Sequence, residues 1–385
     1  MLRQIFVVSV LNFKSITSRF WQSMVIVVGL AATIGVMLSM LSVSAGMRDA
    51  YQRAGDPNRA IVVSKGADQE AQSAIARPQA PVIADAPGIA RGGDGKPLAD
   101  RGIQVGVPVL RKDGSKGYTT MRGLSGNVLG VRPELHVVQG RMFQPGKREL
   151  MVGVGAQALF QHMQVGDKVI LPDGQWPIVG IFASGNLMEG QLIGDTETLA
   201  AALHKTAYNT VLVRLSSPDA LDRFKKSLTT NPALSVTVER HSDWYKRVGD
   251  QNTFGLALLG YVVGAVMAIG ALFGCLNTMY SAVTNRGREI ATLRALGYGA
   301  FPVAVSVVLE AVLLAVAGAL LGAGIAWVLN DGKQSVFGNS VFYLSVSPAQ
   351  IKLGLIWALM VALVGGLFPA IRAARRPVVE ALRAT

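Results

Sequence analysis

"TNRGREIATLRALG", residues 284–297, breaks two long apolar stretches with three arginines and a glutamate: Arg286, Arg288, Glu289 and Arg294. The segment is too short for a domain and too charged for lipid, where an Arg or Asp at a helix centre costs about 2.5–3.5 kcal/mol. Before it, "FGLALLGYVVGAVMAIGALFGCL" (254–276) carries no charge; after it, residues 301–329 carry only Glu310. The flanks therefore read as membrane helices and the quoted segment as the loop between them.

Two further stretches read the same way. "MVIVVGLAATIGVMLSMLSV" (24–43) lies in a charge-free run between Arg19 and Arg48, longer than the about 20 residues a bilayer needs. Arg3, Lys14 and Arg19 before it and "VSA" at 43–45 imitate a cleaved signal peptide. Signal cores run only about 7–15 residues, so the stretch reads as an anchor. "GLIWALMVALVGGLFPAI" (354–371) follows Lys352, whose long stem suits a position at the interface. The bulk numbers agree: of 385 residues 50% are hydrophobic and 16% charged, with mean hydropathy +0.38, against about one-quarter charged in soluble domains. A net charge of +13 suits an anionic membrane surface or nucleic acid. The arginines crowd beside the apolar runs, which selects the lipid bilayer and leaves no nucleic acid partner. The lone Cys275 permits no internal disulfide and no cysteine-built zinc site.

Short Lys/Arg-rich segments stay cytoplasmic. Basic residues mark the N-terminus (Arg3, Lys14, Arg19), the 284–297 loop, and the tail (Arg372, Arg375, Arg376, Arg383), whereas the 331–347 connection has only Asp331 and Lys333. Four spans put all three basic segments on one side. The expected plan is an α-helical membrane protein with four transmembrane helices and an α+β extracytoplasmic domain inserted between helices 1 and 2. Both termini are expected on the cytoplasmic side of the membrane. The expected divisions are 1–47, the N-terminus and first helix; 48–253, the outer domain; and 254–385, the part with helices 2–4. Gly260 and Gly264, Gly270 and Gly274, and Gly318 and Gly322 repeat at four-residue spacing, which predicts close helix packing within or between chains.

In the inserted part, "RAIVV" (59–63), "RELMV" (148–152), "DKVIL" (167–171), "PIVGIF" (177–182) and "NTVLVRL" (209–215) read as strands. Asp173-Gly174 predicts a tight turn. Ser217 as cap and Pro218 at the first helical position predict a helix carrying Leu221, Phe224 and Leu228. The stretch 66–100, rich in Gly, Pro, Ala and Asp, reads as a mobile surface segment.

Catalytic groupings are scarce. His136, His162, His204 and His241 are scattered and form no H-E-x-x-H, and there is no G-x-S-x-G elbow. "GVGAQA" (153–158) matches the loose form of a dinucleotide loop. Without a clear βαβ unit it reads instead as a helix start burying Leu159, Phe160 and Met163. No G-x-x-x-x-G-K-[ST] phosphate loop occurs, so neither a catalytic nor a metal site is expected in this chain, and the energy source is a partner.

Ile290, Leu293 and Leu296 recur at three-residue spacing, and Gly297 supplies a stop before Pro302, so residues 285–296 predict a short helix. Arg286 and Glu289 lie three apart and can pair on it. From pattern alone two readings stand: arginines that enforce topology, or arginines that make a contact. "NTMYSAVTNRGREIATLRALG" (277–297), beginning at Asn277, resembles the signature of the MacB/LolC/FtsX superfamily of ABC transporter permeases. "LEAVLLAVAGALLGAGIAW" (309–327), with Glu310, is similar to that family's third span, and "PAIRAARRPVVEALR" (369–383) to its tail. "VVQGRMF" (137–143) and the stretch 148–183 resemble the MacB-type periplasmic core domain. Asn285 stands where the family often has an acidic residue, and 66–135 matches poorly.

The resemblance implies a coupling helix that docks on a cytoplasmic ABC ATPase. Arg286, Arg288, Glu289 and Arg294 would make polar contacts, with Ile290 and Leu293 in an apolar groove of the partner. It implies a second permease copy or paralogue, an adaptor (membrane-fusion) protein as a further partner, and no cofactor of the chain's own, ATP and Mg being bound by the ATPase. It also implies mechanotransmission, in which the first two spans carry motion to the outer domain. "SAGMRDAYQRAG" (44–55) and "HSDWYKRVGDQNTF" (241–254) contain no proline and suit helical extensions of those spans. Glu310, a carboxylate inside a span, predicts a structural partner among the interfacial arginines ahead of a substrate or proton site. The expected function is export or extraction of a hydrophobic or amphipathic substrate. The alternatives are FtsX-like signalling to an outer enzyme without transport, and lipoprotein release.

Overall fold

The computed structural model describes residues 20–337 and 340–375, without the side chains of Leu293, Phe337 and Ser340. Arg3, Lys14, Arg19, Arg376 and Arg383 lie outside the described residues. The long helices are α1 (Phe20–Ala54), α2 (His241–Asn285), α4 (Ala300–Asn330) and α5 (Pro348–Arg375), with the short α3 (Gly287–Ala295) between α2 and α4. The four long ones are each apolar and long enough to cross a membrane. The chain divides into a helical bundle (residues to Ala45, Phe254–Lys333, and from Leu344) and an inserted unit (Gly46–Thr253 with Gln334–Tyr343).

In the bundle, α1 buries Leu30, Ile34, Met37, Leu38 and Leu41 at helical spacing. Helix α4 answers with a small-residue row, Ala311, Ala315, Ala319, Ala323 and Ala326. Backbones approach closely there: a Cβ on Gly318 would lie 2.7 Å from the Val27 carbonyl oxygen, and one on Gly322 would collide with that of Ala31. Gly260 and Gly264 of α2 face Leu41 and Met37 of α1. Among the described residues, nothing lies within 4 Å of a Cβ placed on Gly270 or Gly274. The bareness of these two glycines is in keeping with α2 being covered over only 17% of its apolar window against 44–50% for the other three.

The inserted unit is built on β1 (Arg59–Ser64), β2 (Ile75–Ala76), β3 (Ala99–Leu110), β4 (Lys116–Leu124), β5 (His136–Gly140) and β6 (Leu150–Gly153). It continues through β7 (Lys168–Leu171), β8 (Gly174–Ala183), β9 (Leu192–Asp195), β10 (Ala207–Tyr208), β11 (Thr210–Arg214) and β12 (Val236–Arg240). A hairpin, β13 (Gln334–Phe337) and β14 (Ser340–Tyr343), joins α4 to α5. Ten strands form one mixed sheet in the order β12-β1-β11-β3-β4-β9-β6-β8-β5, with β7 also on β8. Only β4–β9 and β6–β8 are parallel. One hydrophobic core of this unit buries Trp176, Phe224, Ile75 and Ile83. Because β1 follows α1, β12 precedes α2, and the two strands pair antiparallel with Ala60 opposite Arg240, α1 enters and α2 leaves at the same end of the sheet.

Four local expectations are corrected. The 66–100 stretch is exposed over much of its length but anchored: Glu70, Ile75, Ala80 and Ile83 are buried, and a helix runs over Gln79–Ala84. The predicted Ser217 cap is displaced; the helix is Ala220–Thr229 with Asp219 at the N-cap position and no side-chain cap bond, and the Ser217 carbonyl accepts the Ala220 N–H (3.1 Å). The β7–β8 turn centres on Pro172 and Asp173, with Gly174 opening β8 at φ +132°. The helix at "GVGAQA" stops at Leu159, so Phe160 and Met163 are buried beyond its end.

Candidate functional site

Helix α3 is fixed at both ends within the bundle. Arg286, at its N-cap, donates through Nη1 to Glu310 Oε2 of α4 at 2.8 Å, both side chains being under 9% exposed. Its Nε lies 3.9 Å from the exposed Glu289 carboxylate. Arg294, in the last turn, donates to the Ala374 carbonyl of α5 at 3.0 Å. Gly297 at φ +92° then closes the helix, its N–H donating to the Arg294 carbonyl (3.1 Å), which suits a residue without a Cβ. Between the two ties, Ile290 and Ala291 are buried in the bundle core.

This separates the predicted contact residues. Arg286 bonds Glu310, Arg294 bonds α5, and Ile290 packs within its own chain. The Leu293 side chain is outside the described atoms. Arg288, Glu289, Thr292 and Leu296 are exposed, Leu296 at 72%. Residues 288, 292 and 296 recur every four, so they form one outward stripe. Leu296 was legible from its place in the apolar spacing, but not its outward direction. Asn277 is exposed on α2, seven residues beyond Gly270 and three beyond Gly274, so all three share a face.

A second arrangement lies where the first and second long helices meet the sheet, all inside the inserted unit. Arg48 pairs with Asp250 at 2.8 Å, and Asn252 donates to the Tyr51 hydroxyl at 2.9 Å. Gly249 leaves room for Tyr51, whose Cβ would stand 2.8 Å from an added methyl. Below them Arg122 of β4 donates to Glu70 (2.6 Å), Gln191 (3.0 Å) and Gln104 (3.0 Å). Tyr245 of α2 donates to the other Glu70 oxygen (2.8 Å). Burial pushes the Glu70 carboxyl up, but the Arg122 charge and hydrogen bond outweigh it and hold the group below the usual carboxylate range. His241, buried at the start of α2, accepts the Asp56 N–H at Nδ1 (3.1 Å). A cavity of about 260 Å³ opens beside these residues, but each Arg122 nitrogen already donates within the protein. Sequence reasoning missed Glu70 and Arg122; the only available sign was a charged residue in the inward phase of a strand.

Among the described residues, no three His, Cys, Asp or Glu side chains gather as metal ligands. Gly153 has a packing reason to be glycine: a Cβ there would collide with the Glu189 carbonyl.

Two family models match the chain: the MacB-like periplasmic core domain over residues 23–231 and the FtsX-like permease C-terminal region over 261–378. Among curated proteins, the macrolide export ATP-binding/permease protein MacB of Psychrobacter arcticus is 23% identical over 321 residues, covering 75% of this chain and 47% of the relative. The ABC transporter permease YknZ of Bacillus subtilis is 26% identical over 136 residues, covering 35% of this chain and 33% of that protein. The chain thus spans about half or less of the curated relatives it matches. Among solved structures, the periplasmic region of MacB from Actinobacillus actinomycetemcomitans aligns with a TM-score of 0.39 at 14% identity, over 51% of this chain and 94% of that one.

Proposed function

This chain belongs to the family of FtsX-like ABC transporter permeases with a MacB-like periplasmic core domain, and we propose that it transmits the work of a separate cytoplasmic ATPase to that domain. The observation that carries the reading is α3: it is tied to α4 by Arg286 and to α5 by Arg294 while it presents Arg288, Glu289, Thr292 and Leu296 outward. A helix so tied delivers a push to the bundle instead of absorbing it. On this reading the ATPase binds ATP and Mg, the permease works as a pair with a second copy or paralogue, and both termini and α3 lie in the cytoplasm. An adaptor protein outside the membrane completes the assembly.

The unbroken run of α1 to Ala54 and of α2 from His241 supports transmission into the inserted unit, since a continuous hydrogen-bonded helix moves as a rod. The MacB-like domain favours export or extraction of a hydrophobic or amphipathic substrate over signalling to an outer enzyme. The test is ATPase stimulation in the complex purified from cells. Glu289→Lys and Leu296→Asp should each lower stimulation about tenfold or more with the chain still folded in membrane, the loss of about 1.4 kcal/mol of contact energy. Full stimulation in both variants would refute docking through α3.

A further inference from the structure

The connection between α4 and α5 carries only Asp331 and Lys333 as charges, yet its hairpin residues belong to the inserted unit. Val341 and Phe342 of β14 are buried, at 5% and 2% exposure. Val341 is seated on two glycines: a Cβ on Gly190 would lie 2.7 Å from its Cγ2, and one on Gly155 3.0 Å from its Cγ1. The seat is stiff. In the turn Leu187–Gly190, Asn186 Oδ1 accepts the Met188 N–H (2.9 Å), and Glu189 Oε1 accepts the N–H groups of Ser184 (3.0 Å) and Gly185 (2.8 Å). Thr119 of β4 donates to the Gly190 carbonyl at 2.6 Å.

The root of the hairpin is also fixed, within the bundle. The Leu344 N–H donates to the Lys333 carbonyl (2.8 Å), the Gly332 N–H to the Leu344 carbonyl (3.0 Å), and the Val346 N–H to Asp331 Oδ1 (3.0 Å). Asn330, ending α4, donates to Ser39 of α1 at 2.9 Å. Helix α4 is the same helix that holds Arg286 through Glu310.

We infer that β13–β14 is a strap through which α4 and α5 also drive the inserted domain, with Val341 as its positioning residue in the Gly155/Gly190 seat. This rests on the coupling reading: motion received at α3 passes through Arg286–Glu310 into α4, along it to the strap, and out to the 187–190 turn. The two long extensions α1 and α2 are then one of two parallel routes.

Hydrogen exchange tests it in two steps. In the full chain in lipid nanodiscs without partner, Val341→Asp should speed exchange of amides 187–192 about tenfold or more, while Val341→Ile keeps them protected and β1 and β12 stay unchanged. Unaltered exchange at 187–192 in Val341→Asp overturns the seat. In the complex with its ATPase, ATP should change exchange both at 241–253 and at 184–192. Replacing 334–343 with ten Gly/Ser residues should abolish the second change and keep the first. Persistence of the 184–192 change in that variant overturns the strap alone. Absence of any ATP-dependent change in the wild-type inserted domain overturns the coupling reading instead. If the linker variant does not fold, Val341→Asp in the complex gives the same comparison.

Discussion

At the scale of the residue, the inserted domain rests on a buried charge. Glu70 and Arg122 are 9% and 4% exposed at their side chains, and removing one partner of such a pair strands the other, at a cost of about 3–5 kcal/mol. Glu70→Gln should therefore destabilise the domain by about that amount, read as faster exchange across β3 and β4, and Glu70→Leu with Arg122→Met should recover most of it. Acid should act the same way. The folded Glu70 carboxyl is held below its unfolded value, so its contribution is full above the ordinary glutamate pKa and is lost as pH falls through the lower folded value. Glu149, hydrogen-bonded twice by Arg141 at 2.7 Å, is lowered likewise. The melting temperature should drop in that acid window, with a shallower limb in Glu70→Gln. None of this was legible in the sequence. Glu70 sits in a stretch whose Gly, Pro and Asp content argues surface, and its burial depends on an arginine 52 positions away. Glu310 was more legible, because a carboxylate in a span demands a partner; which arginine answers it is a matter of three-dimensional reach.

Among the elements, spans were the easiest to read, because twenty apolar residues in a row have one economical home. Strands β3 and β4, the longest pair in the sheet, were missed: β3 mixes Asp, Arg, Gln and Pro into its run, and its alternation blurs. Helix packing separates the three glycine pairs. Gly322→Leu should disrupt the bundle, seen as loss of a folded, detergent-stable peak, because the Ala31 backbone occupies the space. Gly270→Leu should leave the single chain folded, since no described residue lies within 4 Å of a Cβ there. Along α3, Ile290→Asp should unfold the bundle instead of merely uncoupling it, since Ile290 is 9% exposed and Leu296 72%. Comparing the detergent melts of Ile290→Asp and Leu296→Asp checks the assignment of inner and outer stripe.

For the whole molecule, the proposal needs α3 and the inserted sheet on opposite sides of the lipid. Cysteines placed at Leu296 and at Ile170, 72% and 79% exposed, report the two sides, because native Cys275 is buried. In intact cells a membrane-impermeant maleimide should label the Ile170 position and spare the Leu296 position; labelling of both, or the reverse, would place α3 outside. The broad plan of four spans and one insertion was legible because it follows from where charge cannot go. The hairpin's membership of the inserted unit was not, since ten residues with one buried Val-Phe pair leave no periodic signature.

One margin of the sheet has a consequence for the molecule's neighbours. Strand β5 ends the sheet with all five residues exposed, its register shifts between Val137 and Gln139, and Gly140 stands at φ +75° where a Cβ would collide with the Val179 carbonyl. A straight bare margin templates foreign chains, and a kinked one does not. Straightening that kink should therefore open the margin to pairing between neighbouring copies.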